Sequence, residues 1–167
     1  MVSLDVGCGN RPRGDVNVDF RSSPQWKRYE DKLFICCDAH CLPLRSKIFD
    51  AAFCFLVLPY VHNETQVVRE LNRVLKTNGR VTIRHNLLLV YLRTFFKNAR
   101  QPLNIARRIY LYMFRHNVQN SIINTFQTRR GMANLLRNNN FTVKEIRRIN
   151  DILHIEARRK KFDSSGT

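Results

Sequence analysis

SLDVGCGNRPRGDVNVDF, residues 3–20, contains the pattern on which the fold turns. The apolar run Ser3–Val6 enters Gly7-Cys8-Gly9, which reads as a strand running into a glycine turn. Val16, Val18 and Phe20 then alternate with Asn17 and Asp19, the period of a half-buried strand that ends beside an acid. Only six residues, NRPRGD, separate Gly9 from Val16. A parallel crossover ordinarily takes a dozen or more residues and a helix, so the first connection is short of its helix.

Outward from this stretch the chain alternates strands and helices. Ser23 before Pro24 resembles an N-cap with proline at the first helical position, leading into a short helix around Trp26 to Asp31. Leu33 to Cys37 reads as a third strand closing on Asp38, and the apolar stretch from Phe49 to Leu58 as a central strand buried on both faces. Asn63, with Gln66 three residues later, caps a helix whose Val67, Leu71, Val74 and Leu75 recur at helical spacing until Asn78-Gly79. Arg80 to Arg84 resumes as a strand. A helix from about Arg129 to Asn138 precedes two strands, Phe141 to Ile149 and Ile152 to Ala157, joined tightly at Asn150-Asp151. The pattern predicts a Rossmann-like, doubly wound α/β sheet, mostly parallel with an antiparallel last strand and helices on both faces. One domain is expected over residues 1–159, with a basic helical insertion at about 86–127 and a frayed tail at 160–167.

The 167 residues suffice for one such domain; 44% are hydrophobic and 25% charged, which excludes wholesale disorder. The apolar runs are too short to span a membrane, and the N-terminus carries no secretory signal, so a cytoplasmic protein is expected. Lys and Arg number 29 against 13 acids, a formal +16. The split is uneven: residues 1–83 carry +3 and residues 84–167 carry +13. Such a field favours a polyanion, nucleic acid or an anionic membrane surface, or is simply a solvated face. Five cysteines without a spaced framework read as reduced thiols. Cys36, Cys37, His40 and Cys41 cluster, but adjacent residues of a strand point to opposite faces, and no metal site is expected.

In a doubly wound sheet ligands sit beyond the C-terminal ends of the strands, where Gly7, Gly9, Asp19 and Asp38 fall. The glycines let a ligand approach the backbone, and a strand-end carboxylate can take both hydroxyls of a ribose, which suggests a nucleoside. GCGNRPRG is neither a dinucleotide fingerprint nor a phosphate loop.

With LDVGCGN at Leu4 to Asn10, VNVDF ending the second strand, DAHCLPL at Asp38 to Leu44, FDAAFCFLVLPYVHN, and RELNRVLKTNGRVTI before the fifth strand, the chain resembles the class I S-adenosylmethionine-dependent methyltransferases of the type 11 group. FQTRRGMANLLRNNNFTVKEI and ILHIEARRK are similar to that family's last helix and strands, so the resemblance covers most of the chain in order. It implies S-adenosylmethionine as cofactor, with S-adenosylhomocysteine as product. Asp5, Gly7, Cys8 and Gly9 would lie under its methionine part and Asp19 on the ribose. Asp38 would hold the adenine amino group, with Ala39 and His40 along the ring and Leu56 to Leu58 flooring the pocket. Methyl transfer is an in-line displacement that needs alignment more than a catalytic group; His62 and Tyr60 are the nearest candidates for a base.

Two departures stand out: the first family helix is missing, and Lys76-Thr77-Asn78-Gly79 replaces Lys-Pro-Gly-Gly. The N-terminal segment that covers the cofactor in relatives is absent too, so an open pocket is expected, closed by the segment after the fifth strand, by a second copy of the chain, or by nothing. That segment, 86–127, interleaves large apolar residues with basic ones and is open to four uses: lid, nucleic-acid surface, membrane surface or plain core. The expectation is a methyltransferase for an unidentified acceptor. The alternative is a degenerate methyltransferase fold that binds RNA or another polyanion through its basic half.

Overall fold

The computed structural model describes residues 1–86, 128–150 and 152–161. The basic insertion expected at 86–127 lies, beyond Asn86, outside these residues, as does the tail past 161. One sheet runs through the described chain. Its strands are β1 (Ser3–Val6), β2 (Val16–Asp19), β3 (Leu33–Cys36), β4 (Phe49–Phe55), β5 (Leu75–Asn86), β6 (Phe141–Ile149) and β7 (Ile152–Arg159), in the order β3-β2-β1-β4-β5-β7-β6. Neighbours from β3 to β5 are parallel, and β7 is antiparallel to both β5 and β6. The sheet is Rossmann-like and mostly parallel, with its last strand reversed, as the sequence leads one to expect.

Alternation decides which face is covered. Leu4, Val6, Val18, Cys54, Ile83 and Ile155 point to one side and are fully or almost fully buried. Against them pack α1 (Glu64–Val74) through Val67, Val68 and Leu71, and α2 (Arg129–Asn138) through Met132 and Leu136. Burying each such side chain contributes about 1.5–3 kcal/mol. Asn63 caps α1 by accepting from the Gln66 N–H at 3.0 Å, and Thr128 caps α2 by accepting from Gly131 at 3.0 Å. Asn72 of α1 donates to the carbonyls of Asn139 and Asn140, tying the two helices together on one face.

Several boundaries differ from the sequence reading for identifiable reasons. The segment expected as a helix at 26–31 is a 3-10 helix over Pro24–Arg28, capped by Ser23 and stopped at Tyr29. Leu56, at φ 61°, ends β4 three residues early, and Leu58–Tyr60 forms a second 3-10 helix around Pro59. After Val74 the backbone turns extended at Leu75, which pairs with Phe49, so α1 stops short of Asn78 and β5 begins at once.

The missing first helix is replaced by a return segment held on buried polar groups. From Cys8 to Asp15 the chain runs back over the sheet face opposite α1 and α2. Asp5 accepts from the Arg13 N–H at 2.9 Å, and Asn17 accepts from Gly14 N–H at 3.1 Å while donating to Gly14 O at 3.0 Å. Asp15 closes the segment on Ser3, accepting from its N–H and hydroxyl at 2.7 Å. Asp5 and Asn17 are both fully buried. Two side chains thus do the hydrogen bonding a helix would otherwise do internally. On the same face Trp26 stacks on Phe34 at 4.8 Å and donates its indole N–H to Gly9 O at 2.8 Å, bracing the glycine turn.

Candidate functional site

A cleft of about 820 Å³ opens beyond the C-terminal ends of β1, β2 and β4. Gly7, Asp19, Asp38, Ala39, His40, Leu56, Val57, Tyr60 and His62 line it, as do Phe20 and Phe55, which the sequence reading did not place in the site. Phe20 carried a signal, standing next to a strand-end acid. Phe55 did not, since a continuous apolar run hides which of its members face a cavity. Asp5, Cys8, Gly9 and Leu58 are not among the lining residues; Leu58 is fully buried in the core.

Sharp backbone turns form the base of the cleft. Gly7 and Gly9 have φ of 70° and 53°, in the left-handed region that side chains disfavour. A Cβ on Gly7 would stand 2.1 Å from Val57 Cγ2, whereas one on Gly9 would meet nothing within 4 Å. Leu56 shares the left-handed conformation, a strained state for a bulky residue, fixed by its N–H donating to Arg84 O at 2.9 Å.

Above the turns stand two carboxylates. Asp19 accepts from the Gly9 N–H at 2.9 Å and the Arg21 N–H at 3.2 Å, which joins the ends of β1 and β2. Asp38 accepts from the backbone N–H and the Nδ1 of His40 at 2.9 and 2.6 Å, and the backbone bond first, then the imidazole, holds its carboxyl below the usual range. Asn63 N–H donates to His40 Nε2 at 3.3 Å, so a neutral His40 carries its proton on Nδ1. His62 stacks on His40 at 3.9 Å.

Asp5 and Cys8 are built differently. Burial pushes the Asp5 carboxyl up to about 6, the bonds from Arg13 pulling it back only in part, and pushes the Cys8 thiol up to about 12. Because the folded state favours protonated Asp5, its contribution to stability is full below pH 3.8 and is lost as pH rises through about 6. Asn mimics the protonated acid. The stability advantage of Asp5→Asn over the native chain should therefore shrink by about 2 kcal/mol between pH 7 and pH 4, read from urea midpoints at each pH. A constant difference across that range would show that Asp5 is charged throughout.

The donor set fits the adenosine half of an adenosyl cofactor: two strand-end carboxylates, a glycine turn open at Gly9, and an apolar floor at Ala39 and Leu56. The methionine half is less complete, because Asp5 is committed beneath the return segment. Among the described residues no group of three His, Cys, Asp or Glu side chains is placed to hold a metal.

Strand order, the reversed seventh strand and a cleft over the glycine turn define the class I S-adenosylmethionine-dependent methyltransferase fold. Residues 15–83 match the family model described as a methyltransferase domain. The structure is similar to a SAM-dependent methyltransferase from Methanosarcina mazei, with 17% identity, 95% of this chain and 92% of that one covered, and a TM-score of 0.66. It is also similar to the Burkholderia thailandensis 1,6-didemethyltoxoflavin-N1-methyltransferase with bound 1,6-didemethyltoxoflavin and S-adenosylhomocysteine, at 18% identity, 96% and 71% coverage, and a TM-score of 0.67. A third is a methyltransferase in complex with the Haloferax volcanii activator Trm112, at 13% identity, 95% and 82% coverage, and a TM-score of 0.65. No curated protein matches the sequence.

Proposed function

We propose that residues 1–159 act as one catalytic domain that transfers the methyl group of S-adenosylmethionine to an acceptor entering the cleft from the Tyr60 side. The observation that carries this reading is the pair Asp19 and Asp38 at successive strand ends, facing a cleft that Gly7 also lines. In this arrangement Asp19 would hold the ribose, Asp38 the adenine edge, and Ala39, His40 and Leu56 the ring. The bound sulfonium supplies an activated methyl group. What the chain adds is alignment and exclusion of water.

Tyr60, 64% exposed, and His62, stacked on His40, stand at the rim within reach of an acceptor's proton. His40 is less suited to that role, both ring nitrogens being engaged by Asp38 and Asn63. No helix among the described residues is long and apolar enough to cross a membrane. The five unpaired thiols fit a reducing, cytoplasmic compartment.

Calorimetric titration with S-adenosylmethionine and S-adenosylhomocysteine tests the reading. Binding of each at one per chain is expected, and no heat with either at millimolar ligand would overturn it.

A further inference from the structure

On the face opposite α1 and α2, the outer half of the sheet presents its side chains in rows across four strands. One row, next to the cleft, is set by register: Phe55 of β4 lies opposite Arg84 of β5, Arg84 opposite His154 of β7, and His154 opposite Arg147 of β6. At a strand spacing near 4.8 Å it extends about 14 Å from the cleft wall to the sheet edge. A second row places Arg80 directly opposite Arg158, both exposed.

Four features of this face suit a chain of phosphates and flat bases. The Phe55 ring is flanked by two guanidinium groups, Arg84 at 4.1 Å and Arg13 at 4.5 Å from its centroid. Arg84 has no carboxylate partner among the described residues, and its Nε is buried without a hydrogen-bond partner there. Burial and the neighbouring Arg84 hold the His154 imidazole below its ordinary value, so it is uncharged at neutral pH and available for stacking. Like charges directly opposite across a ladder are unfavourable, and an anion laid between Arg80 and Arg158 relieves that repulsion. Among the described residues of this outer half, the acids are the middle pair Glu145 and Glu156, of which Glu145 is paired with Arg147.

We propose that this face binds single-stranded nucleic acid along the Phe55–Arg84–His154–Arg147 row, beside the cleft. Guanidinium groups on a flat sheet give both phosphate contacts and planar partners for unstacked bases. A duplex keeps its bases stacked and offers this row nothing but charge. Binding at this face does not require methyl transfer, so it stands or falls separately from the proposed activity.

The test is fluorescence anisotropy of the full chain with labelled single-stranded RNA and DNA of one mixed sequence, without cofactor and over a range of salt. Arg84→Ala/Arg147→Ala should weaken binding at least about tenfold and flatten the slope of log affinity against log salt by about 1.4. Arg158→Glu, on an exposed position opposite Arg80, should weaken it while leaving the melting temperature no lower, because the new carboxylate faces a guanidinium across the ladder. Lys27→Glu, the same charge change on the exposed 3-10 helix, should leave affinity within about twofold. The proposal is overturned if the native chain binds neither strand at low salt, if Lys27→Glu costs as much as Arg158→Glu, or if phosphatidylserine vesicles or polyglutamate compete as well as RNA.

Discussion

Asp19→Ala is expected to bind S-adenosylhomocysteine about a hundredfold more weakly than the native chain. Two hydrogen bonds from ribose hydroxyls to one carboxylate, at about 1.5 kcal/mol or more each, account for that loss. In the free protein the same carboxylate accepts from Gly9 and Arg21, at 2.9 and 3.2 Å, so the acid that would hold the ribose also shapes the turn beneath it. Asp19→Asn separates these duties: its carbonyl can still accept from Gly9, but it brings no charge. We expect Asp19→Asn to keep the melting temperature while binding weakens, and Asp19→Ala to lose some of both. Native affinity in a folded Asp19→Ala would remove the ribose from this site.

Gly14→Ala is expected to cost about 3 kcal/mol, the upper end of the range for forcing an added methyl into a packed region. A Cβ at residue 14 would lie 2.6 Å from Val16 O, 2.7 Å from Asp5 N and 2.9 Å from Leu4 C. All three are main chain and cannot rotate away. The return segment must lift, which uncouples Gly14 from Asn17 and the Arg13 N–H from Asp5. Gly9→Ala is the comparison: its Cβ meets open space, and only the left-handed φ of 53° is penalised, at about 1–2 kcal/mol. Urea midpoints of the two variants check this. Equal midpoints would mean that the segment has room the structure does not show.

How legible these features were depended on how local their causes are. Strand positions followed from alternation at Val16, Val18 and Phe20, and the α1 cap from Asn63 and Gln66, because each rests on neighbours in sequence. The absence of the first helix could be counted from six residues. What replaces it could not: Asp5 reads as a cofactor residue from its motif, and only the fold shows Arg13 and Gly14 lying on Asp5 and Asn17. The end of β4 was misplaced for a similar reason. Leu56 takes a left-handed turn that no propensity favours, held by the carbonyl of Arg84 on another strand. The basic row on the outer sheet is likewise a product of register, since Arg84 on β5 is far in the chain from the β6–β7 hairpin that carries Arg147 and His154.

The helix-free crossover also bears on the order in which the sheet assembles. Ser3 meets Asp15 across a separation of 12 residues, while Val2 meets Asp50 across 48. Two doublings of loop length correspond to about 1.2 kcal/mol of additional closure entropy for the β1–β4 side. β1 and β2 therefore form the parallel pair that closes at the lowest entropic cost, a nearly local contact in a topology otherwise dominated by distant ones.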